Sequence, residues 1–315
     1  MEDPIEYLIK QVLGYRKGEQ IGLVYDNFYN TIIHKIADYC QYNSIPFREV
    51  LTDYKSNDSL SEEVKHSFLD STPQIIIIGL KDNIWHTEER KEAKYGKKKK
   101  IANLLYSDGS CESYFATQNK LEFLGKQLAP IISESNNVHI LSEAGTNLHA
   151  KIGKTFSESN YYNTPGNGGD FPIGEIGFSP LEGTVNGRLV YDFKIQHVGF
   201  VRNSHHIIDV KNDKISSVKT SKEFNELIHS HSVFEYISEI SIGINPIWCE
   251  VENKSSIIEE KNLGTMHFGH GGNFSYGNRK GPHFDSVILE PTIYLDDWLL
   301  MKKGVFNKKY INIEY

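Results

Sequence analysis

Apolar residues follow two alternating rhythms over residues 1–80. Ile5, Leu8, Ile9 and Leu13 recur at helical spacing, and Ile32, Ile33, Ile36, Ala37 and Cys40 do so again further on. Around them lie short apolar runs, Ile21 to Tyr25 and Phe47 to Leu51, then a helical pattern over Ser61–Leu69. The run Gln74–Leu80 holds consecutive isoleucines with no polar alternation, which suits a strand covered on both faces. Strands and helices alternating at this spacing predict βαβ units and a mainly parallel sheet. A helix over 119–132 and a strand over 137–141 extend this α/β domain.

After Gly145 the texture changes. Helical periodicity is confined to 220–231, and short strand-like stretches alternate with Gly, Asn and Pro turns: Thr146–Ile152, Gly174–Ser179, Arg188–Phe193, Ile237–Ile244 and His283–Leu289. The chain is therefore expected to divide into an α/β domain over 1–140 and an α+β domain with mainly antiparallel strands over 141–315. The polar, turn-rich segment 157–173 reads as a mobile loop beside a site.

Composition narrows the function classes. The 315 residues carry a formal net charge of −7, which gives no general attraction to nucleic-acid phosphates or anionic lipid. The lysine run Lys97–Lys100 lacks the glycines of a phosphate cradle and reads as a solvated loop. No stretch approaches the roughly 18 apolar residues of a membrane span. The three cysteines, Cys40, Cys111 and Cys249, are far apart, so neither a zinc-type pair nor a disulfide framework is expected, and a cytoplasmic setting follows.

The candidate chemistry lies in residues 260–288, EKNLGTMHFGHGGNFSYGNRKGPHFDSVI. Small residues crowd around His267, and His283 and Asp285 stand two apart, so on a strand they share a face. Two imidazoles and a carboxylate form the facial set that suits iron(II), and also zinc, manganese or cobalt. The same spacing suits a few hydrogen-bonded histidines. Glu175 and Glu239 each interrupt an apolar strand-like run, where a carboxylate needs a cation, a proton or a solvent-facing position. His270 is placed to steady a ligand, the pair His205–His206 can direct at most one ring to a site, and Glu260–Lys261 reads as an ion pair or an acid/base couple.

In this order, GEIGFSPLEGTVNG, ISEISIGINP, EKNLGTMH and HFD resemble the successive motifs of the aminopeptidase T family of metallopeptidases. That family's relatives include 2,5-dihydroxypyridine dioxygenases. The resemblance covers residues 145–298, with a further segment, WHTEERKEA, at 85–93. It implies metal ligands at Glu175, Glu239, His267, His283 and Asp285, a substrate contact or base at His86, and a homodimer. Two departures bear on the reaction: Phe274 stands where the peptidases have a tyrosine, with Tyr276 out of register, and Asn147 replaces the usual aspartate after Gly-Thr.

The leading expectation is a hydrolase acting on a peptide or amide bond of a small molecule or short peptide. Two zinc, cobalt or manganese ions would activate water, with Glu260 as proton shuttle. The alternative is a mononuclear iron(II) ring-cleaving dioxygenase, held by His267, His283 and Asp285 with Glu175 and Glu239 outside the coordination sphere. An apolar tail of Ile293, Leu295, Trp298, Leu299, Leu300, Met301 and Phe306 adds a second motive for a dimer.

Overall fold

The computed structural model describes residues 3–55, 59–82, 84–106, 118–159, 161–202, 204–274, 276–277, 279–309 and 311. The chain forms two compact units, and neither is one continuous stretch. One comprises Met1–Ala116 and Asn160–Ile173, the other Thr117–Ser159 and Gly174–Tyr315. The sequence suggests a single crossing near residue 140, whereas the chain crosses three times.

The first unit is built on a parallel sheet of five strands in the order β2-β1-β3-β4-β7. These are β1 (Ile21–Tyr25), β2 (Phe47–Leu51), β3 (Ile75–Gly79), β4 (Lys100–Leu104) and β7 (Gly168–Phe171). β1 and β3 are buried along their whole length, as their unbroken apolar runs require. Helices α1 (Pro4–Tyr7), α2 (Asn30–Tyr42), α3 (Glu62–Leu69) and α4 (Glu88–Lys91) complete the unit. α2 buries Ile32, Ile33, Ile36, Ala37 and Cys40, the stripe its spacing indicates.

Three expectations are corrected here. The segment 157–173 is not wholly loop, because Gly168–Phe171 is the edge strand β7, paired in register with Ile101–Leu104. Glycine spacing conceals it: Gly168 packs so close to Ile101 that a Cβ there would lie 2.6 Å from its carbonyl oxygen. The lysine run is only half solvated. Lys99 donates to the Asp70 carbonyl at 2.7 Å, Lys100 pairs with Glu19 at 2.8 Å, and burial pulls the Lys99 amine down to about 8. Cys40 is a buried free thiol, but Cys249 is disulfide-bonded, against the expectation of unbridged cysteines; Cys111 lies outside the described residues.

The second unit holds α5 (Gln118–Glu134) and β5 (Asn137–Leu141), which the periodicity assigns to the first, together with α6 (Lys222–Ser230). Its strands include β6 (Asn147–Glu158), β8 (Glu175–Pro180), β9 (Asn186–Tyr191), β10 (Lys194–Ile195), β11 (Gly199–Phe200), β12 (His206–Lys211) and β13 (Lys214–Lys219). They continue through β14 (Ile237–Gly243), β15 (Thr265–Gly271), β16 (His283–Leu289), β17 (Thr292–Leu295), β18 (Trp298–Lys302) and β19 (Val305–Phe306). The main path runs β11-β10-β16-β15-β14-β8-β6-β5-β17-β18-β19, antiparallel throughout. Strands β9, β12 and β13 branch from β6. Ile293, Leu295, Leu300, Met301 and Phe306 are buried within the chain itself, so the tail loses most of the apolar face that motivated a dimer. Among the described residues no helix is long and apolar enough to cross a membrane.

On β14, β15, β16 and β8 one sheet face is apolar: Ile240, Ile242, Met266, Phe268, Phe284, Ile288, Ile176 and Phe178 are all at most 4% exposed. Phe268 is central to it, so Phe268→Ala should cost about 3–5 kcal/mol in denaturant unfolding. A loss below roughly 1 kcal/mol would mean that this face does not hold the sheet.

Candidate metal centre

The other face of the same four strands is polar and still buried. Side chains alternate along a strand, and directly opposed residues share a face. Asp285 on β16 lies opposite Gly269 on β15, which lies opposite Glu239 on β14. One pair further along, His267 lies opposite Ser241, which lies opposite Gly177. Glu175 lies opposite Gly243, and His283 opposite Gly271. Thus Glu175, Glu239, His267, His283 and Asp285, the residues implied as ligands, all project from one face, interleaved with glycine and serine.

Gly269 is the centre of this arrangement. A Cβ at this position would sit 2.3 Å from His283 Cε1, 2.7 Å from His283 Nε2 and 2.7 Å from Glu239 Cβ. The imidazole of His283 therefore lies across the space a side chain would fill, between Asp285 and Glu239. Its Nδ1–H donates to the Gly272 carbonyl at 2.6 Å, and Nε2 faces Asp285 Oδ1 at 3.0 Å. Because a carbonyl only accepts, that contact fixes the proton on Nδ1 and leaves Nε2 for a ligand. The main chain of Asp285 is held in turn by Gln196, which accepts from its N–H at 3.1 Å.

His267 Nε2 stands 3.1 Å from Glu175 Oε2 and 3.6 Å from Glu239 Oε1. Donors bound at ~2.1 Å to one ion at right angles are ~3.0 Å apart, so these spacings fit a shared cation. His267 Nδ1 and Glu260 Oε2 are buried with no hydrogen-bond partner, as befits a site that takes up a further group. Residues Glu175, Glu239, Glu260 and Asp285 are all buried. Buried carboxylates persist only with compensating charge or protons.

The protonation pattern follows from that demand. Burial disfavours the His283 imidazolium, but Asp285 and Glu239 outweigh it and raise the ring to about 9. Burial likewise opposes the charge on His267, yet Glu260, Glu175 and Glu239 hold it well above its ordinary value. Glu175 is lowered because Lys261 and His267 overcome its burial. His283 likewise holds Asp285 down against the opposing effect of burial. For Glu239 and Glu260 burial prevails and the carboxyls are pushed up.

The remaining candidates differ in their surroundings. Glu260 lies in the 3-10 turn Ile258–Lys261, its carboxylate 2.9 Å from the Lys261 amine, which also contacts Glu175 at 2.6 Å. His86 is buried in the first unit, just before Thr87 caps α4. His270 does not steady a ligand. Strand alternation turns it to the apolar face, where it stacks on Phe284, bonds the Tyr191 hydroxyl at 2.7 Å, and is lowered to about 4 by burial. His206 is buried against Phe224, and His205 is exposed. The Tyr276 hydroxyl donates to Glu158 at 3.3 Å, and the exposed Asn147 bonds the half-buried His139. Gly269, Ser241 and Gln196 escape a search for reactive side chains. The one signal for Gly269 and Ser241 is the small residues at alternate positions of β14 and β15; Gln196, just after β10, has none.

An enzyme fold with a buried cluster of histidines and carboxylates is the class this geometry defines. The family model NicX, 2,5-dihydroxypyridine 5,6-dioxygenase, matches residues 77–308, and the chain belongs to that family. Two solved structures share the fold. A 2,5-dihydroxypyridine dioxygenase from Pseudomonas putida KT2440 aligns with TM-score 0.78 and 16% identity over 96% of each chain. Wild-type AmpT from Thermus thermophilus aligns with TM-score 0.63 and 11% identity over 96% of this chain and 98% of that one. Both kinships read from the motifs are thereby found. At these identities the structural likeness speaks for the fold alone. No curated protein matches the sequence.

Two tests follow from this geometry. Gly269→Ala must displace the His283 ring, and should weaken metal binding about 10–100-fold with the circular dichroism spectrum unchanged; undiminished affinity would place the ion elsewhere. In the metal-free protein His267 and His283 are protonated at neutral pH, so metal must displace protons. Affinity measured by calorimetry should rise with pH from neutrality to at least about 9, with proton release at pH 7.

Proposed function

We propose that this enzyme is an iron(II)-dependent dioxygenase that opens the ring of a dihydroxypyridine or a close heteroaromatic analogue. The observation that carries the reading is that His267, His283 and Asp285 project from one buried face of neighbouring strands, in a chain of the NicX family. Two imidazoles and one carboxylate on one side of an ion leave positions for substrate and dioxygen. When bound, the iron supplies the electron transfer that lets spin-paired substrate react with dioxygen.

The protein's own residues supply the rest. The Gly272 carbonyl sets the His283 tautomer, and Gln196 secures the Asp285 backbone. Glu239, raised by burial and 3.6 Å from His267 Nε2, holds a proton at the edge of the donor set. It is our first candidate for proton transfer to a ring intermediate, with Glu260 and His86 as further candidates. The hydrolytic reading stands second. It draws on the additional carboxylates Glu175 and Glu239, whereas the family match favours oxygenation.

Protein stripped of metal and reconstituted anaerobically with one equivalent of iron(II) should consume dioxygen with 2,5-dihydroxypyridine. Asp285→Asn should lose both iron and turnover. Glu239→Gln should keep iron while turnover falls roughly 10–100-fold. Release of amino acids from short peptides under argon, with two ions bound per chain, would replace this reading by the hydrolytic one.

A further inference from the structure

We propose that Lys261 is a built-in counterion occupying the place of a second metal ion, and that it thereby holds the centre to one ion. The inference rests on the one-metal reading above and deepens it.

The donor atoms of Glu175, Glu260 and His267 all lie within 4.8 Å of one another. The two carboxylates of that group are chelating donors for a further divalent ion, beside the imidazole that the one-metal reading gives to iron. The Lys261 amine sits among them, 2.6 Å from Glu175 Oε1 and 2.9 Å from Glu260 Oε1, with its side chain fully buried. A buried ammonium held by two carboxyls satisfies much of the charge demand that a metal would otherwise meet. Glu260 Oε2 remains buried without a partner, so the group retains donor capacity that one ammonium does not use.

The backbone delivers this lysine deliberately. Lys261 ends the 3-10 turn Ile258–Lys261, and its carbonyl accepts from Asn245 N–H at 2.8 Å. The turn lies flat against β14 at Gly243, where a Cβ would be 2.5 Å from the Glu260 carbonyl and 2.2 Å from that of Asn262. Gly243 is the residue opposite Glu175 in the sheet. Glycine at 243 therefore admits the turn, and the turn sets Lys261 over Glu175. The ammonium neutralises Glu175 but offers no open coordination position, so it cannot share an activated water with a neighbouring ion.

The test counts ions. Wild type, Lys261→Met and Lys261→Gln are stripped with chelator, titrated with Mn2+ and separately with Zn2+, and assayed by mass spectrometry and thermal unfolding. Wild type should bind one ion per chain and both variants two, with a larger metal-dependent rise in melting temperature for the variants. The double variant Glu175→Gln/Lys261→Met should return to one. One ion in both single variants, beside one in wild type, overturns the role of Lys261 and leaves the proposed function intact. Two ions in wild type overturn the one-metal function itself. Should Lys261→Met be unfolded when stripped, Mn2+ or Zn2+ should restore its circular dichroism; failure to do so also overturns the proposal.

Discussion

Burying several carboxyl groups on one sheet face is the constraint around which the second unit is organised. Glu175, Glu239, Glu260 and Asp285 are all nearly inaccessible, and each buried charge left alone would cost several kcal/mol. The protein supplies one permanent cation, Lys261, and two imidazoles that take up protons readily. Proton uptake by histidine is a reversible solution, and it is the one that a divalent ion displaces. The buried carboxyls thus have partners without metal, and those partners include protons that a metal can displace.

The same strands must also hold the unit together, and period-two alternation separates the two duties. Phe268 and His267 are neighbours in sequence but face opposite ways, one into the apolar layer and one into the donor set. Glycine and serine at the intervening positions of the polar face are part of the same division. Gly269 makes room for the His283 ring, and Gly177 for Ser241, whose Cβ would be 2.6 Å from an added methyl. Ser241 then donates to Glu175 Oε2 at 3.2 Å.

Much of this was legible in the sequence because it depends on local rhythm. The βαβ pattern of residues 1–80, the face shared by His283 and Asp285, and the carboxylates set into apolar runs each need only a few neighbouring residues. The misread features depend on distant parts of the chain. Strand β15 is missing from the strand-like stretches of the sequence because its glycines hide it until β14 and β16 are seen to flank it, and without that strand the direction of His270 could not be read. Strand β7 has too many glycines to announce itself, and it joins the first sheet only because the chain returns there after residue 159. Lys261 was visible as a neighbour of Glu260, but its contact with Glu175 spans 86 residues and no spacing rule reaches that far.

That long-range contact bears on how many ions this face can take. The likeness to a dioxygenase and to AmpT is one of fold, and a fold alone does not fix the chemistry carried on it. What bears on it is which of the donors on this face already have their charge met. Glu175 reads as a ligand by motif, yet its carboxylate has Lys261, His267 and Ser241 as partners before any ion arrives. His283 and Asp285 have chiefly each other, an arrangement that exchanges a proton for a metal without leaving a charge stranded. Five ligand-type residues on one face therefore do not imply two ions. The count that matters is of donors whose charge the protein has left to be met from outside, and here that count favours the side of the face around Gly269.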